Sequence, residues 1–160
     1  MALVKKIKDR KVNIEFNKEF IKVINEKIKK QDTDFLANSL KELLPADSAD
    51  IIENLSPENR SKLIELEGFN IDPEIFVELN ESIQTEIFLL LSVESIASLL
   101  KKLESDNALK ILENLDKSKK ETVLNRLPPK DRFLLEEGLS YPEDTAARIM
   151  QREFTAIPSN

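Results

Sequence analysis

The chain has 160 residues, 41% of them apolar and 34% charged, with no Cys, no His and no Trp. Disulfides, thiol and imidazole chemistry and the usual zinc and copper ligands are thereby excluded, so any bound metal would be a hard cation on oxygen ligands, such as Mg²⁺ or Ca²⁺. Two glycines are too few for the tight turns of an all-β protein, and the net charge of −6 is unevenly spread: residues 1–30 hold ten Lys/Arg against four Asp/Glu, which leaves a net −12 on residues 31–160. An acidic body of that kind repels nucleic acid and attracts cations.

Residues 1–14 read as a basic, flexible arm. It could touch anionic lipid heads or simply be a solvated, frayed terminus. The start, Met1-Ala2-Leu3-Val4-Lys5-Lys6, lacks the apolar core of a signal peptide. No apolar run approaches the roughly 18 residues that span a bilayer, so the chain reads as cytosolic. From about Asn17 to Lys30, Phe20, Ile21, Ile24 and Ile28 recur at helical spacing. Asp32 or Thr33 can cap a second helix that carries Phe35, Leu36 and Leu40 inward.

A repeat then begins. Leucines stand at 43, 55, 79, 91, 103, 115, 127 and 139, twelve residues apart except that position 67 is Glu, with Leu66 just before it. Apolar pairs lie three and four residues upstream: Ile51/Ile52, Leu63/Ile64, Ile75/Phe76, Ile87/Phe88, Leu99/Leu100, Ile111/Leu112 and Val123/Leu124. Pair and leucine together would form one stripe on a helix of two to three turns. Helix-starting residues open each unit, for example Ser56-Pro57-Glu58 and Ser92-Val93-Glu94. About eight helices of roughly eight to ten residues are expected between Pro45 and Leu139. None is stable alone in water, so each must lay its stripe on its neighbours. The expected fold is all-α: a right-handed superhelix, or solenoid, of short antiparallel helices over residues 15–139.

After Leu139 the texture changes. Tyr141-Pro142 biases the chain to extended geometry, Thr145–Gln151 can form one more short helix, and Glu153–Pro158 alternates as a strand would. A lone strand lacks a partner, so residues 140–160 read as a linker and the start of a further domain.

The run from Leu43 to Glu58, LLPADSADIIENLSPE, resembles the opening of the N-terminal domain of MgtE-type magnesium transporters. The tail Tyr141–Met150, YPEDTAARIM, resembles that family's linker into its paired CBS domains, with Ala147 where the family commonly has Gly. The resemblance implies a cytosolic regulatory domain on the inner side of the cell membrane. Its partners would be the CBS and transmembrane domains of a full-length, homodimeric transporter. It further implies that intracellular Mg²⁺ binds acidic residues facing the CBS domains and holds the pore closed. Glu74 and Asp106 fall where the family places such carboxylates. A third position, four residues after Asp106, is Lys110 here, which would repel Mg²⁺ or pair with an acid of the CBS domain.

Asp47, Asp50 and Glu53 share one helix face and read either as a cation-attracting ridge or as a solvated face. No Ser/His/Asp or Cys/His set and no phosphate-binding glycine loop exists, so an enzyme is not expected. The competing reading is a free-standing helical-repeat adaptor for a protein partner.

Overall fold

The computed structural model describes residues 14–67, 70–142 and 145–150, and the described residues form helices and turns without a strand. The basic arm over residues 1–13 and the strand-like stretch 153–158 lie outside them. The elements are α1 (Ile14–Lys30), α2 (Thr33–Lys41), α3 (Pro45–Glu53), α4 (Pro57–Glu67), α5 (Pro73–Glu78), α6 (Glu81–Leu90), α7 (Val93–Leu100), α8 (Ser105–Glu113), α9 (Lys117–Leu124), α10 (Pro129–Ser140) and α11 (Ala146–Ile149). Eight of them, α3 to α10, fill the span from Pro45 to Ser140, as the repeat predicts.

The repeat works differently from the predicted stripe. Except for Leu139, inside α10, the leucine does not sit inside the helix; it lies at or just past the helix end. In five turns the same bond recurs: the leucine N–H donates to the carbonyl three residues back. The pairs are Leu43 to Leu40, Leu55 to Ile52, Leu103 to Leu100, Leu115 to Leu112 and Leu127 to Leu124, at 3.2–3.4 Å. This 3₁₀-type closure satisfies carbonyls that the helix end would otherwise orphan. It also turns the leucine back inward, and Leu55, Leu115 and Leu127 are buried. Leu79 and Leu91 instead occupy the C-cap itself, in extended conformation.

The residue after the leucine starts the next helix. Ser56 Oγ accepts from the Asn59 N–H, Asn80 Oδ1 from Ile83, Ser92 Oγ from Ser95 and Asp116 Oδ1 from Lys119. Leu44, Glu104 and Pro128 cap their helices without a side-chain bond, and Pro45 and Pro129 supply fixed φ at the first helical position instead. One helix therefore stops and the next starts within about three residues, which sets the twelve-residue period.

The chain divides into two compact units after Leu91. In unit 1, α1 packs on α2 and α4, α2 on α4, α3 on α5 and α4 on α6. Its core holds Phe20, Ile24 and Ile28 of α1, Leu36 and Leu40 of α2, Ile52 of α3, Leu63 of α4, Phe76 of α5 and Phe88 of α6. The Phe76 and Phe88 rings stack with centroids 6.0 Å apart. The six residues of α5 cannot close their own last carbonyls; the buried Gln84 donates from Nε2 to the Phe76 carbonyl at 2.7 Å. Each such aromatic is worth about 3 kcal/mol or more when truncated to Ala.

The exit from α1 is a left-handed cap. Gln31 has φ 53°, the sole positive φ among the described non-glycine residues, and the Asp32 N–H reaches back to the Lys27 carbonyl at 3.1 Å. Asp32 then caps α2 through the Phe35 N–H. The hydrogen bond from Lys27 Nζ, and secondly that from Phe35, hold its carboxyl below the ordinary carboxylate range. The Lys27 ammonium also lies 4.5 Å from the centroid of the Phe35 ring.

Unit 2 repeats the every-second-helix packing: α7 against α9, α8 against α10, with α11 on α10. Its core is purely aliphatic among the described residues, built on Ile96, Leu99 and Leu100 of α7, Leu109, Ile111 and Leu112 of α8, Val123 and Leu124 of α9 and Leu135 of α10.

Candidate functional site

Asp106 and Glu74 occupy the same helical position in their respective units. Each is the second residue of its helix, after Ser105 in α8 and after Pro73 in α5. A carboxylate there faces the positive end of the helix dipole. Both are half-buried. Around Glu74, the Asp72 side chain caps α5 and accepts the Glu74 N–H at 3.1 Å.

Asp106 carries the sharper signal. Its Oδ1 is buried and has no hydrogen-bond partner, the one such side-chain atom among the described residues. A buried acceptor without a donor is costly and calls for an explanation such as a water or an ion. Lys110, one turn on and on the same face, does not supply the donor: it is exposed, and its Nζ donates to Asn107 Oδ1 at 3.1 Å. Lys110 thus leaves the Asp106 oxygen open.

A partial fit to Mg²⁺ follows from the donor set. Mg²⁺ keeps several waters and is held by one or two carboxylates rather than by an all-protein cage. The described residues contain no group of three or more acidic side chains able to hold a metal. Asp106 can supply one hard oxygen, and the remaining ligands would come from water or from another surface.

The other acidic candidates resolve otherwise. Glu53 Oε1 accepts the Asn80 N–H at 2.6 Å and so anchors the start of α6 to the end of α3. Asp50 is exposed and Asp47 half-buried, so the expected ridge is in part a structural contact. Lys101, Lys102 and Lys117 are exposed, whereas Lys119 and Lys120 are half-buried.

Two buried arginines were not legible as structural centres in the sequence. Arg60, in α4, donates from NH1 to the Ile52, Glu53 and Leu55 carbonyls at the end of α3, at 3.1–3.3 Å. Its Nε and NH2 form a fork on Glu86 of α6 at 3.0 and 2.9 Å. Arg148, in α11, donates from Nε to Glu113 Oε1 of α8 at 2.6 Å and from NH1 to the Gly138 carbonyl at 2.8 Å, with Tyr141 O at 3.4 Å. The available signal was position: Arg60 lies three and four residues before the buried Leu63 and Ile64, on the inward face.

The family model of the MgtE intracellular N domain matches residues 43–144. The chain belongs to this MgtE N-domain family. Two solved structures share the fold. One is described as the soluble part of a magnesium transporter (TM-score 0.73, 23% identity, covering 86% of this chain and 55% of that one). The other is the cytosolic domain of the Mg²⁺ channel MgtE in complex with ATP (TM-score 0.71, 23% identity, covering 84% of this chain and 55% of that one). The MgtE N domain thus spans about half the length of each solved relative. No curated protein matches it in sequence. No described helix is long and apolar enough to cross a membrane.

Proposed function

We propose that this MgtE N domain is a cytosolic regulatory module of a magnesium transporter and contributes Asp106 and Glu74 to Mg²⁺ sensing. The observation that supports the reading most is the buried, partnerless Oδ1 of Asp106 at the first turn of α8. In this reading the carboxylates face the CBS domains of the same full-length, homodimeric chain. Apposed acidic surfaces repel unless a cation sits between them. An ion that binds only the closed arrangement shifts the equilibrium by its differential affinity, and the pore closes when Mg²⁺ is high. One or two carboxylates with retained waters give weak binding, suited to a millimolar sensor.

The test is limited proteolysis of the full-length chain across a Mg²⁺ titration. Protection is expected to rise with millimolar Mg²⁺. Asp106→Asn should move the midpoint at least about three-fold higher, and Glu74→Gln should act in the same direction. An unchanged cleavage pattern across the titration would count against sensing and leave the helical-repeat adaptor as the better reading. Unchanged midpoints in both variants would remove these two residues from Mg²⁺ sensing.

A further inference from the structure

The tail motif that drew attention in the sequence contains a residue for which ion sensing has no use. Arg148 belongs to α11, a helix of only four residues, far below the length that is stable in water on its own. Within α11 the described side chains are unequal. Ala146 is exposed, Ala147 half-buried, and Arg148 is 7% exposed. The two described alanines thus bury little apolar surface.

The described anchor of α11 is one guanidinium with two kinds of partner. Nε meets the Glu113 carboxylate at the last residue of α8. NH1 meets the Gly138 carbonyl in the last turn of α10, beside the Tyr141 carbonyl. Carbonyls at a helix end carry partial negative charge and lack intrahelical donors, so a cation is well placed there. The planar fork serves both partners at once, which a lysine ammonium cannot reproduce. Glu113 is itself about one-third exposed, so water can take over its solvation if the arginine leaves.

We propose that Arg148 is a latch: its bonds to Glu113 and to the end of α10 hold α11 against unit 2, and when they open α11 releases while α7–α10 stay folded. The device is a local opening of the low-stability kind found at the edges of folded units. It lies beyond the ion-sensing reading and does not depend on it, since no ion enters the contact.

Amide hydrogen exchange on the full chain tests it. Thr145 and Arg148 carry amides bonded to the Pro142 and Thr145 carbonyls, respectively, and so report the latch. In Arg148→Ala these amides are expected to exchange at least about ten-fold faster, while amides in the middle of α8 and α10 change by less than about two-fold. Arg148→Lys should also release α11, because it keeps the charge and loses the fork. Glu113→Gln keeps an acceptor and should loosen it less, by about three-fold. Unchanged exchange at Thr145 and Arg148 in both arginine variants would overturn the latch. So would an equal loss of protection throughout α7–α10, or a failure of Arg148→Ala to fold, because either makes Arg148 a core brace.

Discussion

Among the described residues, each unit buries one arginine against the carbonyl end of a helix and pairs it with one glutamate on another, yet the two sites do different mechanical work. Arg60 is embedded in α4, eleven residues long, with Leu63 and Ile64 buried one turn further on. It accepts no slack: α4 is held by its apolar contacts, and the guanidinium then ties α3, α4 and α6 together. Arg148 sits on a helix of four residues in which the described alanines are exposed or half-buried. The same chemistry is a brace within a long, packed helix and a detachable contact on a helix of four residues. What a buried ion pair does is decided by the apolar contacts of the element that carries it.

The largest effect expected from this contrast is at the brace. Arg60→Ala removes a donor from three carbonyls and the ion partner of the half-buried Glu86, and should cost unit 1 about 3 kcal/mol in urea unfolding followed at unit 1 residues. Glu86→Gln retains an acceptor and removes the charge, so a cost of about 1–2 kcal/mol is expected by the same measurement. Arg148→Ala should change the unfolding of unit 2 by less than about 1 kcal/mol, because only α11 is released. Equal costs for Arg60→Ala and Arg148→Ala would erase the distinction between the two sites.

A smaller gain tests unit 1 away from its arginine. Gln31→Gly places at φ 53° the residue that tolerates it and should stabilise by about 0.5–1 kcal/mol. The smallest expected effect is acid sensitivity. Asp32 and Glu58 both have lowered pKa values, Asp32 chiefly through the Lys27 hydrogen bond and Glu58 chiefly through that from Lys62. A lowered folded pKa gives a contribution that is complete above the ordinary carboxylate range and fades as pH falls through the lowered value. Carboxyl NMR titration should find both midpoints below those of free side chains, and Lys27→Met should return that of Asp32 upward.

The fold was open to sequence reading wherever the deciding interaction is local. Ser56, Asn80 and Ser92 announce helix starts because a cap bonds a backbone N–H only three residues on. The leucine period announces the helix count. Its role was misread, because a stripe at positions i, i+1 and i+4 looks the same whether the last member ends the helix or turns the corner after it. The arginines were hidden for a different reason. Charged side chains default to solvent, and their burial rests on partners distant in sequence, Glu86 for Arg60 and Glu113 for Arg148. At the candidate site, the positions of Asp106 and Glu74 at helix starts were legible. The open oxygen of Asp106 and the turning of Lys110 to Asn107 depend on side-chain direction, which spacing does not determine.

The three-residue corner, in which a leucine closes one helix and its neighbour opens the next, also makes length a quantised variable. Inserting or deleting twelve residues keeps every leucine followed by a helix start. Any other number puts a helix start where a corner should be, or a corner inside a helix. The 24 residues from Leu55 to Leu79 obey this count although Glu67 interrupts the leucines. A chain of this design can therefore grow or shrink by whole repeats, and the identity of one residue within a repeat is more freely exchanged than the repeat's length.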